Sequence, residues 1–150
     1  MPAPSDLNAH LGYWLRFVSN HVSSTFAAQL AKKDVSVAEW VLMRLLYDAD
    51  TMAPSVLAER IGMTRGAITK LADRLLARKL IIRTANPDDG RAQTLSLTTA
   101  GRRLVPVLAA LADQNDATFF ADLSATERTS LERILKKIID KRGLGTVPID

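Results

Sequence analysis

Leu57-Ala58-Glu59-Arg60-Ile61-Gly62-Met63-Thr64-Arg65-Gly66-Ala67-Ile68-Thr69-Lys70-Leu71-Ala72-Asp73-Arg74-Leu75 reads as two short helices folded about a tight turn. Ala58 is small where two helices cross closely. Gly62, four residues on, can take the left-handed conformation that a tight turn requires. Thr64 is a fitting N-cap for the second helix, because its hydroxyl can accept from an amide of the first turn. Leu57, Ile61, Ile68 and Leu71 fall on facing sides and fill the wedge between the two helices. With Ile68 and Leu75 turned inward, the helical period turns Gly66, Thr69, Lys70, Asp73 and Arg74 outward or to the flank. That outward set mixes hydrogen-bonding and cationic groups near a helix start, where a recognition helix meets base edges and phosphates. Small helical hairpins produce this spacing by chance as well, so the neighbouring sequence has to support it.

The support lies on both sides. Upstream, Leu7, Leu11, Trp14, Leu15, Val18, Val22, Phe26 and Leu30 recur at three and four, which predicts one long helix from Asp6 to about Lys33. Ser36-Val37-Ala38-Glu39 is a capping box that opens a second helix running to about Asp48. Pro54 suits the first turn of the helix that ends near Ile61. Downstream of Arg78 the period changes. Leu80–Ala85 and Gln93–Thr98 read as two short strands joined by Asn86-Pro87-Asp88-Asp89-Gly90-Arg91-Ala92, a run of turn formers. Thr98 or Thr99 begins a long helix to about Asp122, with a kink or local break expected at Pro106. Ser124-Ala125-Thr126-Glu127 is a second capping box, and Lys141-Arg142-Gly143 a fitting stop for the last helix. The order is four helices, a hairpin and two helices. A basic hairpin after a recognition helix makes a winged helix, with Arg91 near the tip placed to enter a minor groove. Asp89 either holds the Arg91 guanidinium or shapes the turn. A calcium loop is a poor fit, since the twelfth position from Asn86 is Leu97 rather than a bidentate glutamate.

The charge distribution agrees. The chain of 150 residues carries a net charge of +4, which by itself gives no direction. Residues 51–103 hold ten cations (Arg60, Arg65, Lys70, Arg74, Arg78, Lys79, Arg83, Arg91, Arg102 and Arg103) against Glu59, Asp73, Asp88 and Asp89. The middle third is therefore at +6 while each flank sums to −1. A segregated basic block points to a polyanion; the alternative is a solvated helical face. The absence of cysteine removes disulfides, thiolate catalysis and thiol redox sensing. The longest uninterrupted apolar run, Leu104–Ala112, is far short of a membrane span. No secretory signal is visible at the N-terminus, so the cytoplasm is the expected compartment. No serine–histidine–carboxylate grouping or phosphate-cradling glycine loop is present, so no catalytic residues and no cofactor are expected.

Taken together, Leu57–Gly62, Ile68–Leu75, Asp89-Gly90-Arg91 followed by Leu95–Thr98, the run Thr98–Arg102 and Leu123–Glu127 resemble the MarR family of winged helix-turn-helix transcriptional regulators. The resemblance runs from about Val35 to Ile139. It implies a mainly α fold with a small β-hairpin wing (α+β), in which residues 36–103 form the DNA-binding domain. Residues 1–35 and 104–150 then form a helical dimerisation region contributed by both termini. It further implies a homodimeric, sequence-specific regulator of double-stranded DNA, in this reading a repressor relieved by a small ligand, on a pseudo-palindromic operator. The implied DNA contacts are Thr64, Arg65, Gly66, Ala67, Thr69, Lys70 and Arg74 on the recognition helix, and Asp89, Gly90 and Arg91 on the wing. One position departs from the family pattern: Lys79 stands where a glycine is usual. A left-handed lysine costs on the order of 1 kcal/mol, which leaves the shape of the helix exit and the wing angle open. The rival reading is a winged helix used as a protein-interaction module, which needs no outward cations on its recognition helix.

A second candidate site lies on the first two helices. His10, Trp14, Phe17 and His21 form one stripe along the first helix. With Trp40, Met43 and Tyr47 they could line a pocket for a small aromatic or acidic effector. The plainer reading of the same stripe, and the weightier one, is a dimer seam or interhelix core. His10 and His21 lie about 16 Å apart along a helix axis, too far to share one metal; no metal site is expected.

Overall fold

The computed structural model describes residues 2–85 and 93–145. Four helices come first: α1 (Leu11–Ala31), α2 (Val37–Ala49), α3 (Pro54–Ile61) and α4 (Arg65–Ala77). Strands β1 (Ile81–Ala85) and β2 (Gln93–Leu97) follow, then α5 (Thr99–Phe119) and α6 (Ala125–Arg142). The strands pair antiparallel in the register Ile81↔Leu97 to Ala85↔Gln93. Met52 adds a bridge to the outer side of β2, exchanging both backbone bonds with Leu95 at 3.0 and 2.9 Å. The mainly helical fold with a two-stranded wing is the one expected.

Both capping boxes form. Ser36 Oγ accepts from the Glu39 amide at 3.1 Å while the Ser36 amide donates to Glu39 Oε1 at 2.9 Å. Ser124 and Glu127 repeat the pair at the same distances. Satisfying two orphan amides at each start explains why α2 and α6 begin where they do.

One hydrophobic cluster holds the chain together. Leu42, Met43 and Leu46 of α2, Leu57 and Ile61 of α3, and Ile68, Leu71 and Leu75 of α4 meet Ile81, Leu95 and Leu97 of the wing. Leu30 of α1 and Val105 and Leu108 of α5 belong to the same cluster. The core therefore runs without a gap between residues 36–103 and the flanking helices. The far ends differ. α6 buries none of its residues; Ile134, Leu135, Ile138 and Ile139 stay exposed, as do Leu11, Trp14, Leu15 and Val18 of α1.

The structure corrects the expected first helix and revises the long one. α1 starts at Leu11 rather than Asp6, because His10 is extended (φ −107°, ψ 129°) and Leu7–Ala9 form a separate 3-10 turn. The Trp14 indole N–H donates to the Asn8 carbonyl at 3.0 Å and holds that turn against the helix. α5 is continuous through Pro106, so the local break expected there does not occur. Pro106 lies on the exposed face, where water can serve the carbonyl that loses its amide partner.

Candidate nucleic-acid interface

The turn between α3 and α4 is set by Ala58 and Gly62. Gly62 adopts φ 80°, ψ 30°, and the amides of Gly62 and Met63 both donate to the Ala58 carbonyl at 2.9 Å. Thr64 Oγ1 accepts from the Ala67 amide at 3.1 Å and starts α4. Ile68, Leu71, Ala72 and Leu75 are buried against Leu57 and Ile61. The opposite face presents Thr64, Arg65, Gly66, Thr69, Lys70, Asp73 and Arg74 to solvent, with Ala67 half-buried at its edge. The helical period has thus placed every expected α4 residue on one surface. Its first turn contains no acidic side chain, so the positive helix end is left unneutralised there.

Lys79 resolves the one departure. It takes the left-handed conformation itself, at φ 59°. The Leu80 amide donates to Leu75 O and the Lys79 amide to Leu76 O, both at 3.0 Å, the hydrogen-bond pair of a Schellman end. The exit keeps the shape a glycine would give. Thr98 then ties it to α5: its hydroxyl donates to Lys79 O at 2.8 Å and accepts from the Gly101 amide at 3.0 Å. Its own amide donates to Leu80 O at 3.1 Å.

The basic block divides into two sets. Arg78, Arg83 and Arg102 are engaged within the chain. Arg78 donates to the carbonyls of Asp34 and Lys33, and Arg83 pairs with Asp73 at 3.4 Å. Arg102 reaches Asp50 at 3.4 Å and lies over the Tyr47 ring. Among the described residues, Arg60, Arg65, Lys70, Arg74, Lys79 and Arg103 have no side-chain hydrogen bond or ion pair. Arg65, Lys70 and Arg74 lie on the α4 face, so the cations that remain available concentrate there. Asp89, Gly90 and Arg91 lie outside the described residues.

The second candidate site is not assembled as expected. Met43 is fully buried in the hydrophobic cluster and lines neither the apolar groove at Trp14 nor the cleft at Thr25. Trp40 packs edge-to-face on Phe26 with centroids 6.4 Å apart, and Tyr47 lies between Arg44 and Arg102 at 5.6 and 5.4 Å. On α1, Trp14 and Phe17 are 50% and 52% exposed, and Phe17 stacks with His21 at 4.8 Å. The two helices' residues do not converge. Trp14 alone of the seven lines an apolar groove, of about 400 Å³, with Leu11, Leu15, Val18, Phe119, Phe120 and Leu131. Sequence reasoning missed a smaller cleft of about 320 Å³ between α1 and α5, lined by Thr25, Gln29, Leu111, Gln114, Asn115, Thr118 and Phe119. Its two walls lie far apart in sequence, and no spacing rule joins them. Among the described residues no group of three histidine, aspartate or glutamate side chains could hold a metal, and no helix is long and apolar enough to cross a membrane.

Comparison with known proteins bears on the same elements. The MarR family model matches residues 35–92, the span from α2 through the wing loop. The HTH-type transcriptional repressor NicR of Pseudomonas putida is 25% identical, covering 91% of this chain and 87% of that protein. The multiple antibiotic resistance protein MarR of Escherichia coli is 26% identical, covering 86% and 90%. The crystal structure of a mutant of that MarR complexed with operator DNA matches with a TM-score of 0.76 at 25% identity, over 86% of this chain and 93% of that one. A probable transcriptional regulator from Pseudomonas aeruginosa matches with a TM-score of 0.78 at 28% identity, over 89% and 100%. The wedge at Ala58 and Gly62, the Thr98–Gly101 tie and these likenesses over nearly the whole chain agree: residues 35–92 match the MarR family model, and the chain as a whole is similar to winged helix-turn-helix regulators.

Proposed function

We propose that this protein is a homodimeric transcriptional repressor that binds a pseudo-palindromic double-stranded operator and is released by a small aromatic or acidic effector. The observation that carries the reading is the exposed α4 face, where Arg65, Lys70 and Arg74 have no side-chain partner among the described residues. Cations left unpaired on a rigid helix suit phosphates, and Thr69 and the Gly66 backbone lie where base edges and the sugar–phosphate chain would approach. Arg91 extends the footprint into the minor groove. The exposed apolar faces of α1 and α6 suit a second copy of the chain, so residues 1–35 and 104–150 act as the dimerisation region and 36–103 as the DNA-binding domain. The repressor NicR supports the sign of regulation. The role belongs to the cytoplasm and calls for no catalysis.

The test is a salt titration of duplex binding with Lys70→Ala, Arg74→Ala and Arg91→Ala. Each phosphate contact removed lowers the slope of log affinity against log salt by about one, and Arg91→Ala also loses sensitivity to A·T content. Unchanged slopes in all three variants would overturn the assignment. No duplex binding by the wild type at low salt would favour a protein-interaction module instead.

A further inference from the structure

At the C-terminus of α1 the Leu30 and Ala31 carbonyls accept from the amides of Lys33, Asp34 and Val35, which leaves the carbonyls of the turn itself to find other donors. That turn, Lys32-Lys33-Asp34, closes in the left-handed region, with Asp34 at φ 56°. It points the Lys33 and Asp34 carbonyls at the end of the recognition helix. The guanidinium of Arg78, the residue that caps α4, donates one N–H to each: Nη1 to Asp34 O, and Nη2 to Lys33 O at 3.4 Å. A charged fork at a carbonyl-rich helix end is favourable both as hydrogen bond and against the helix dipole. We propose that Arg78 is a positioning residue for DNA recognition: it fixes the angle of α4 relative to α1 and thereby sets the half-site spacing the dimer accepts. The proposal rests on the DNA-binding reading above. Arg78 belongs by charge to the basic block, yet its donors are spent on backbone 44 residues away. Two recognition helices held rigidly to their dimer helices fix one centre-to-centre distance on DNA. Loosening that joint lets each helix follow its half-site independently.

The experiment uses the full-length protein and the duplex that the wild type selects from a random pool. Copies of that duplex have the half-site separation lengthened or shortened by one base pair. For wild type, Arg78→Ala and Arg78→Lys, affinity for the three duplexes is measured across a salt series, with thermal unfolding alongside. The wild type prefers the selected spacing. In Arg78→Ala that preference falls by roughly two- to thirtyfold, the range expected when a link between two elements is cut. Arg78→Lys keeps the charge and the salt slope but cannot bridge both carbonyls, so it loses the spacing preference too and keeps the test open should Arg78→Ala fold poorly. Retained spacing preference in Arg78→Lys, with a salt slope lowered by about one in Arg78→Ala, would make Arg78 a phosphate contact and overturn the proposal. A variant that only melts earlier, with its spacing preference intact, overturns it as well. A wild type that selects no duplex defeats the DNA-binding reading, not the joint alone.

Discussion

Gly101→Ala should be among the most damaging single-methyl additions to this fold. A Cβ at Gly101 would lie 2.1 Å from the Leu80 carbonyl oxygen, 3.1 Å from its carbon and 3.1 Å from Leu97 Cδ2. Ordinary carbon–oxygen contact is about 3.3 Å, so α5 and the entry to β1 would have to part by more than an ångström. Leu80 O is the acceptor of the Thr98 amide, and Lys79 O of the Thr98 hydroxyl. Parting them breaks bonds at the base of the wing. Overpacking costs about 1–3 kcal/mol, and a buried carbonyl left without its donor adds about 1–3. Alanine's helix preference returns roughly 0.5–1 kcal/mol. The net loss is about 1–5 kcal/mol, a fall in melting temperature of roughly 2–20 °C for a chain of this length. Melts followed by circular dichroism at matched protomer concentration measure it, since association would otherwise shift the midpoint. A Gly101→Ala protein that melts at or above the wild type would mean that α5 and the entry to β1 can part without loss.

Gly66→Ala makes the opposite case: only Thr64 Oγ1 comes within reach, at 4.0 Å. Its melting temperature should rise by a few degrees, while duplex affinity falls on the order of tenfold as the new methyl holds phosphate off the helix; unaltered affinity in a gel-shift would remove Gly66 from the interface. Lys79→Gly relieves a left-handed lysine at φ 59° and should stabilise by about 0.5–1 kcal/mol, read as a higher urea midpoint with unchanged slope; a lower midpoint would mean the side chain contributes more than its strain. In α6, the amide and hydroxyl of Ser124 hold the Glu127 carboxyl below the usual carboxylate range. A group with a lowered folded pKa stabilises above its unfolded value and loses that contribution as pH falls through the folded one. The melting-temperature gap between wild type and Glu127→Gln should therefore narrow as pH falls below the unfolded glutamate value of about 4.3, and a gap constant down to pH 3 would speak against the capping bond.

The parts of the fold that could be read from the sequence are those in which one physical rule acts over a short span. Helical period placed Ile68, Leu71 and Leu75 inside and Lys70 and Arg74 outside. The capping boxes at Ser36 and Ser124 marked two helix starts to the residue. What was not legible depends on distant partners. Nothing near Arg78 shows that its donors end on Lys33 and Asp34, nor near Arg102 that Tyr47 and Asp50 receive it. A charge count therefore pools cations of which three among the described residues, Arg78, Arg83 and Arg102, are engaged within the chain. The aromatic residues of α1 and α2 failed as a pocket for a related reason: a shared stripe fixes a face, whereas a cavity needs an opposing wall that the period does not supply.

The same contacts bear on how binding to the helical half could reach the DNA. α4 is anchored along its whole length: by the Gly62 turn at its start, by Ile68, Leu71 and Leu75 in the core, and by the Schellman end at Lys79. Its own hydrogen bonds leave little to bend. Beyond that end, Arg78 ties α4 to the turn after α1 and Thr98 ties the exit to the start of α5. A close-packed core passes such displacements on rather than absorbing them. An effector that moves α1 against α5 by a small amount would thus swing the α4 faces of the two protomers apart or together as rigid bodies. On the proposed DNA-binding reading, operator affinity would then change through half-site spacing, with the exposed α4 face that carries Lys70 and Arg74 left intact.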